Sequence, residues 1–318
     1  SSTTYIEGIG FKGLFESGNS ISAIFVLGLF ILMSFIMKID NKLYKGCMFI
    51  ILVLVGIYLM TLIGTRVGLI GFIVVVLCFV ISQLFEKFIT KVKLNKKNFI
   101  ALSGILALLI IVVVAAGSVT MQRRRHLQNM ENTIIDESTG EVSNITGDLT
   151  KIRNKIINNI LEDNFMTEQQ KQSVLDLYDI AKKQNISNTN RRMQQLVYHI
   201  MLIKNQKNIV LILFGNGYLI NTNELVLEME CPAILLNFGL LGFTCYMVPF
   251  VANLIYAFIM ILKKIKKVDH ELIMLFLGVG LSFIISTLSG YTFFNSSSMI
   301  IIIVANVLLK IKVENLKE

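Results

Sequence analysis

The chain has 318 residues, 54% of them hydrophobic and 16% charged, whereas a soluble domain carries about a quarter charged residues. With a mean hydropathy of +0.68, this excludes an ordinary soluble enzyme. The net charge of +9 does not argue for a nucleic-acid partner, because most of the lysines sit in a few short loops.

In chain order, uncharged apolar stretches fall at 20–37, 46–63, 67–82 and 99–117, then at 239–262, 272–289 and 299–309. Most are long enough to cross a hydrocarbon core of about 30 Å as helix. The last lengthens if it begins near Gly290. Backbone groups in lipid require helices or a closed barrel, and continuous apolar runs are helical. The expected fold is therefore an all-α polytopic membrane protein with seven transmembrane helices in this chain. It divides into a block of four spans over 1–118, an extracytoplasmic loop with amphipathic helices over 119–232, and three spans with a cytoplasmic tail over 233–318. The chain starts at Ser1 with no signal-peptide pattern before the first span, so it is expected to be the C-terminal part of a longer protein.

Lysine sets the orientation. The loops at 38–45, 86–98 and 263–271 and the tail at 310–318 hold fifteen Lys and no Arg. They alternate with the other loops, which places them in the cytoplasm by the positive-inside rule. All seven arginines fall on the opposite side: Arg66, Arg123, Arg124, Arg125, Arg153, Arg191 and Arg192. The expected location is a bacterial plasma membrane, with the active site facing out. The four cysteines form no close pair, and no disulfide is expected.

The outer segment, too long for an ordinary connection, has its own pattern. Apolar residues at 149, 152, 156, 157, 160 and 161 make one helical stripe. Val174, Leu177, Tyr178 and Ala181 make a second, and Met193, Leu196, Val197, Ile200 and Ile203 a third. These predict amphipathic helices that lie on the membrane face or pack together over it. Residues 131–147 carry no stripe and read as a loop. Ile209 to Phe214 is apolar but too short to span, and the turn Gly215-Asn216-Gly217 ends it. Pro232 is placed to start the fifth span, which Gly239 and Gly242 can bend or pack closely and Pro249 can kink.

The apolar stretches hold no ionisable group, which argues against an ion-coupled transporter. The charged groups gather at the outer mouth. Arg66 follows Gly64-Thr65 in a tight turn between spans, Arg191 and Arg192 open the third amphipathic helix, and Glu228 and Glu230 precede the fifth span. A guanidinium fork suits a lipid phosphate or diphosphate, and a nearby carboxylate can take a proton from a hydroxyl. Blander roles are open to each. Arg66 can snorkel as an interfacial anchor. Arg123, Arg124 and Arg125 read as a patch for anionic headgroups or glycan. Adjacent arginines point about 100° apart on a helix, so one of Arg191 and Arg192 is expected to be structural. One of Glu228 and Glu230 can serve only to cap a helix or pair with lysine. His199 reads as a packing residue, and the three histidines lack metal-ligand spacing, so no metal or cofactor is expected. Tyr291 and Phe293 suit an aromatic belt or a sugar-stacking platform equally.

Four segments, in this order, resemble the superfamily of O-antigen ligases and Wzy-type polysaccharide polymerases. They are the run Phe11 to Asn19, the turn Gly64-Thr65-Arg66 with Val67-Gly68, the segment from Asn190-Arg191-Arg192 to Phe214-Gly215-Asn216-Gly217-Tyr218, and Glu228-Met229-Glu230 followed by Leu236 to Phe243. The resemblance implies a C-type glycosyltransferase-like helical fold that moves a glycan from a polyprenyl diphosphate carrier to an acceptor glycan, inverting and without metal. It implies Arg66 and Arg191 or Arg192 on the diphosphate, and Glu228, with Glu230 as the alternative, as base. Arg66 and Glu228 are expected to face one outer cavity. Ligases often carry His where this chain has Glu228, and the Glu-Met-acid form is similar to Gram-positive polymerases. Polysaccharide polymerisation is therefore the leading expectation. Transfer of finished glycan to a lipid, protein or wall acceptor is the second, and a non-catalytic carrier of lipid-linked sugar the third.

Overall fold

A computed structural model describes residues 10, 11, 17–90, 103–107, 109–111, 119–131, 148–158, 166–184, 186, 190–217, 226–290 and 292–317. Among them the regular structure is helical, without strands. The spans are α1 (Gly18–Ile36), α2 (Lys42–Thr61), α3 (Arg66–Phe85, continued by a π-helical turn Glu86–Thr90), α9 (Glu230–Lys263), α10 (His270–Leu288) and α11 (Ser296–Asn315). Between them lie α4 (Val119–Glu131), α5 (Asp148–Ile157), α6 (Glu168–Gln184), α7 (Arg191–Gln206) and the single turn α8 (Val210–Phe214). Among the described residues, six helices are thus long and apolar enough to cross a membrane. Of the seventh expected span, residues 103–107 and 109–111 are helical and the rest lies outside the described residues.

The span starts follow from local chemistry. Four unpaired N–H groups open every helix, and a short polar side chain at the N-cap accepts from one or two of them. Ser17, Asn41, Thr65, Asp269 and Asn295 do this for α1, α2, α3, α10 and α11. Within the spans, Ser22, Ser34 and Ser282 donate to their own helix's carbonyls at 2.6–2.7 Å, which keeps their hydroxyls satisfied away from water.

The chain divides into two compact units, Ser1–Arg123 with Pro249–Glu318, and Arg124–Val248. In the first, α1 is the central helix, packed by α2, α3, α10 and α11. Small residues permit the closeness: a Cβ on Gly71 would lie 2.6 Å from the Val26 side chain, and one on Gly278 2.9 Å from Phe30. This is how membrane helices associate when lipid supplies no hydrophobic drive. Asn253 donates to the Asn306 carbonyl at 3.0 Å and ties α9 to α11. Large apolar side chains such as Ile50, Leu54, Ile70, Leu77, Ile300 and Val307 are exposed, as suits helices solvated by lipid.

At the lysine-rich end of this unit is a group of charges that the sequence did not single out. Glu271, 1% exposed, receives both Lys38 and Lys312 on Oε2, and Lys38 also reaches Asp269 at 2.7 Å. Next to them the buried His270 meets Ser82 Oγ through Nδ1 at 2.6 Å and the Met33 carbonyl through Nε2 at 3.0 Å. Burial pushes the Asp269 carboxyl up, but hydrogen bonds from Lys38 and the Leu272 N–H outweigh it and hold the group below its usual range. Burial likewise opposes the charge on Lys38, and its bonds to Asp269 and Glu271 outweigh it, holding the ammonium above its usual value.

The second unit has a helical core of its own. Leu149 and Ile156 of α5, Val174, Leu177 and Ala181 of α6 and Tyr198 of α7 are buried together with Met166 and Ile186. The first two sequence stripes thus face inward, except that Ile157 is exposed and 160 and 161 lie outside the described residues. The third stripe divides, with Val197 packed against this core and other members turned outward. Helix α7 buries Gln194, Gln195, Tyr198, His199 and Leu202 and leaves Met193 and Ile200 exposed. The helix is turned because its inward face makes polar contacts and fills the core with the Tyr198 ring. Helix α4 replaces a segment with no expected helix, while 132–147 lies outside the described residues.

Candidate functional site

Within the second unit the end of the outer segment is built on a break in α9. Gly239 is non-helical, at φ 68° and ψ −173°, a backbone that only glycine adopts without strain. The interruption is therefore at Gly239, and Pro249 lies in helical backbone. The turn after α8 docks on this break. The Asn216 N–H donates to the Leu236 carbonyl at 2.9 Å and the Gly217 N–H to the Asn237 carbonyl at 2.8 Å. The approach is backbone to backbone. A Cβ on Gly215 would lie 2.2 Å from the Asn237 oxygen, and one on Gly239 2.3 Å from the Leu213 carbonyl.

This close contact predicts an ordered series. Gly215→Ala and Gly239→Ala each place a methyl on backbone that cannot move away, at positive φ. The strained dihedral alone costs about 1–3 kcal/mol, and the clash adds to it. Gly217 also has positive φ, yet nothing lies within 4 Å of its Cβ position, so Gly217→Ala meets only the dihedral cost. Thermal unfolding in detergent should rank Gly217→Ala well above the other two; equal stability of all three variants would refute the clasp.

Held by this clasp, the chain before α9 meets the start of α7. Arg192 Nε donates to Glu228 Oε2 at 3.4 Å, with the side chains 34% and 35% exposed. The Glu228 N–H donates to Gln195 Oε1 at 3.3 Å. Arg192 and Gln195 are three residues apart on α7 and so share a face, which grips both the side chain and the backbone of Glu228. Arg191 is exposed on the surface. The pairing thus distinguishes two arginines that sequence left equivalent. The carboxylates separate as well. Glu230 is 1% exposed in the first turn of α9, a position favoured by the helix dipole, while Glu228 is open to a ligand.

The remaining candidates are placed as follows. Arg66, in the first unit, is the exposed first residue of α3. Its turn is fixed by Gly64 at φ 75°, by Thr65 Oγ1 against Ser22 Oγ at 2.6 Å and by Thr120 Oγ1 donating to the Thr65 carbonyl at 3.2 Å. A cation at a helix N-terminus opposes the dipole, so helix stability does not account for this arginine. Arg123 is half-buried on α4, with Arg124 and Arg125 exposed beside it. Tyr291 lies outside the described residues. Phe293 needs correction: it is buried, with its ring 5.5 Å from that of Phe250 and 5.3 Å from that of Phe283, so it packs spans and offers no sugar-stacking face. Gln195 was not singled out in the sequence. Its only signal was a polar residue three positions after Arg192.

The family model for O-antigen ligase like membrane proteins matches residues 2–316. The chain belongs to this family. It is a multi-pass membrane protein of the glycan-transfer class that the family represents. Neither a curated protein nor a solved structure matches it. The family match spans nearly the whole chain, so both units belong to the family architecture.

Proposed function

We propose that the protein polymerises a cell-surface polysaccharide by moving glycan from a polyprenyl diphosphate carrier to an acceptor glycan outside the cytoplasm. The observation that carries this reading is the Arg192–Glu228 pair, partly open to solvent beside the start of α9, in a chain of this family. The acceptor hydroxyl attacks the anomeric carbon, and its proton passes to Glu228. The bond from that carbon to the diphosphate oxygen breaks, and the carrier diphosphate leaves with the electron pair. Arg192 is proposed to bind the growing negative charge by its fork, with Arg66 as a further phosphate ligand assigned from its motif. Displacement by the hydroxyl inverts the anomeric centre. Arg124 and Arg125, exposed on α4, suit anionic headgroups or glycan.

The acidic Glu228-Met229-Glu230 in place of the ligase histidine favours polymerisation over transfer of finished glycan. Purified protein supplied with its intact lipid-linked repeat should lengthen the glycan, and failure to do so would contradict the proposal. Gene deletion separates the two transfer reactions. Loss of a polymerase leaves single repeats on the carrier, whereas loss of a ligase leaves long carrier-linked polymer. A non-catalytic carrier predicts movement of lipid-linked sugar across liposomes with unchanged glycan length.

A further inference from the structure

Residues 209–214, IVLILF, are six consecutive apolar residues, and they pack into neither unit's core. Ile209 is 76% exposed and Phe214 62%, with Ile212 and Leu213 exposed between them. An apolar patch of this kind marks an interaction surface. What it meets follows from where it is tied. The clasp fixes Gly215 to Gly217 against Leu236 to Gly239, and Asn237 lies seven residues into α9, about 10 Å along the helix axis from its start. Leu235, Phe238, Leu240 and Leu241 on this stretch of α9 are exposed too. On a candidate membrane span that surface faces lipid, and the short segment continues it.

The backbone is prepared for lipid as well. A segment entering hydrocarbon must satisfy its own N–H groups. The Val210 N–H donates to Asn208 Oδ1 at 3.0 Å. The Leu211 N–H donates to the Asn208 carbonyl at 3.1 Å, the Ile212 N–H to the Ile209 carbonyl at 3.1 Å and the Gly215 N–H to the Leu211 carbonyl at 2.8 Å. The next two N–H groups are those taken by the break in α9. At the other end Lys207, in the left-handed region at φ 51°, ends α7, and its exposed ammonium can reach the headgroups.

We propose that Ile209 to Phe214 is a membrane-dipping anchor, seated in the acyl region of the leaflet in which α9 begins, entering and returning on the same side. The occupant of its apolar surface is lipid hydrocarbon. This reading is independent of the glycan chemistry.

The chain contains no tryptophan, so Phe214→Trp and Ile212→Trp each introduce a single tryptophan, excited at the red edge of its band where the tyrosines do not absorb. The variants are reconstituted in liposomes with phosphatidylcholine spin-labelled near the headgroup end of its acyl chains, or are titrated with aqueous acrylamide. The expected result is blue-shifted emission, strongly quenched by the labelled lipid and weakly by acrylamide, at both positions. Red-shifted emission open to acrylamide and indifferent to the lipid label would overturn the anchor and make the segment an aqueous loop. Blue-shifted emission quenched by neither would overturn it in favour of a protein cover, such as a second copy. Either variant suffices if the other does not fold.

Discussion

Glu228→Gln is expected to slow glycan transfer by about 10²–10⁴-fold, the usual worth of a positioned base, while the protein stays folded. The fold survives because the pair it belongs to is one-third exposed on each side, and exposed ion pairs contribute only about 0–1 kcal/mol. The amide keeps an oxygen for Arg192, and the Glu228 N–H that Gln195 accepts belongs to the backbone. Loss of rate with unchanged thermal stability therefore reads as lost chemistry. Glu230→Gln should behave in the opposite way, losing stability first, because that carboxyl is 1% exposed. Arg66→Lys is the companion variant. It keeps the charge on an exposed first-turn position and loses the planar fork, so a fall in activity at constant stability identifies phosphate binding. Full activity of well-expressed Glu228→Gln would eliminate the proposed base.

The spans could be read from sequence because lipid tolerates few charges over about 20 residues, whereas their N-caps emerged only with the structure. The turn at Gly64-Thr65-Arg66 was legible as the tight link between two spans. Other features were not, for reasons that differ by element. Helix α4 carries three consecutive arginines and few apolar residues, so its stripe is too sparse to show. Helix α7 does have an apolar stripe, but its buried face is the one with Gln194, Gln195 and His199, and Gln195 meets Glu228, 33 residues further on. The Gly215–Gly239 clasp joins residues 24 apart in sequence, and each glycine alone suggests only a turn or a bend. From its place at a span end Phe293 suited an aromatic belt or a sugar-stacking platform equally, and only the neighbouring Phe250 and Phe283 reveal it as packing. The pairing of Arg192 rather than Arg191 with Glu228 depends on the rotation of α7 about its axis, which the sequence left open.

The largest stability effect is expected at the lysine-rich end of the first unit. Lys38→Met with Lys312→Met removes both cations from Glu271 and leaves a carboxylate with 1% exposure among helix ends. Breaking a buried ion pair from one side costs about 3–5 kcal/mol, because the remaining charge has neither partner nor water. Unfolding in mixed micelles titrated with denaturing detergent should show this as a large drop in the midpoint. Adding Glu271→Gln to the double variant removes the stranded charge and should restore much of the loss, since a neutral group needs no counter-ion. The pH dependence follows from the two groups displaced at the edge of the cluster. Asp269 is held below its usual range, so its contribution is complete above about pH 3.9, the ordinary carboxylate value, and is lost as the pH falls through its lower folded value. Lys38 is held above its usual value, so its contribution is complete below about pH 10.4 and is lost as the pH rises through its higher folded value. The stability difference between wild type and Lys38→Met should therefore be flat from about pH 7 to about pH 10. A double variant as stable as wild type, or a triple variant no better than the double, would show that these charges are solvated at the membrane surface and do not hold the helix ends together.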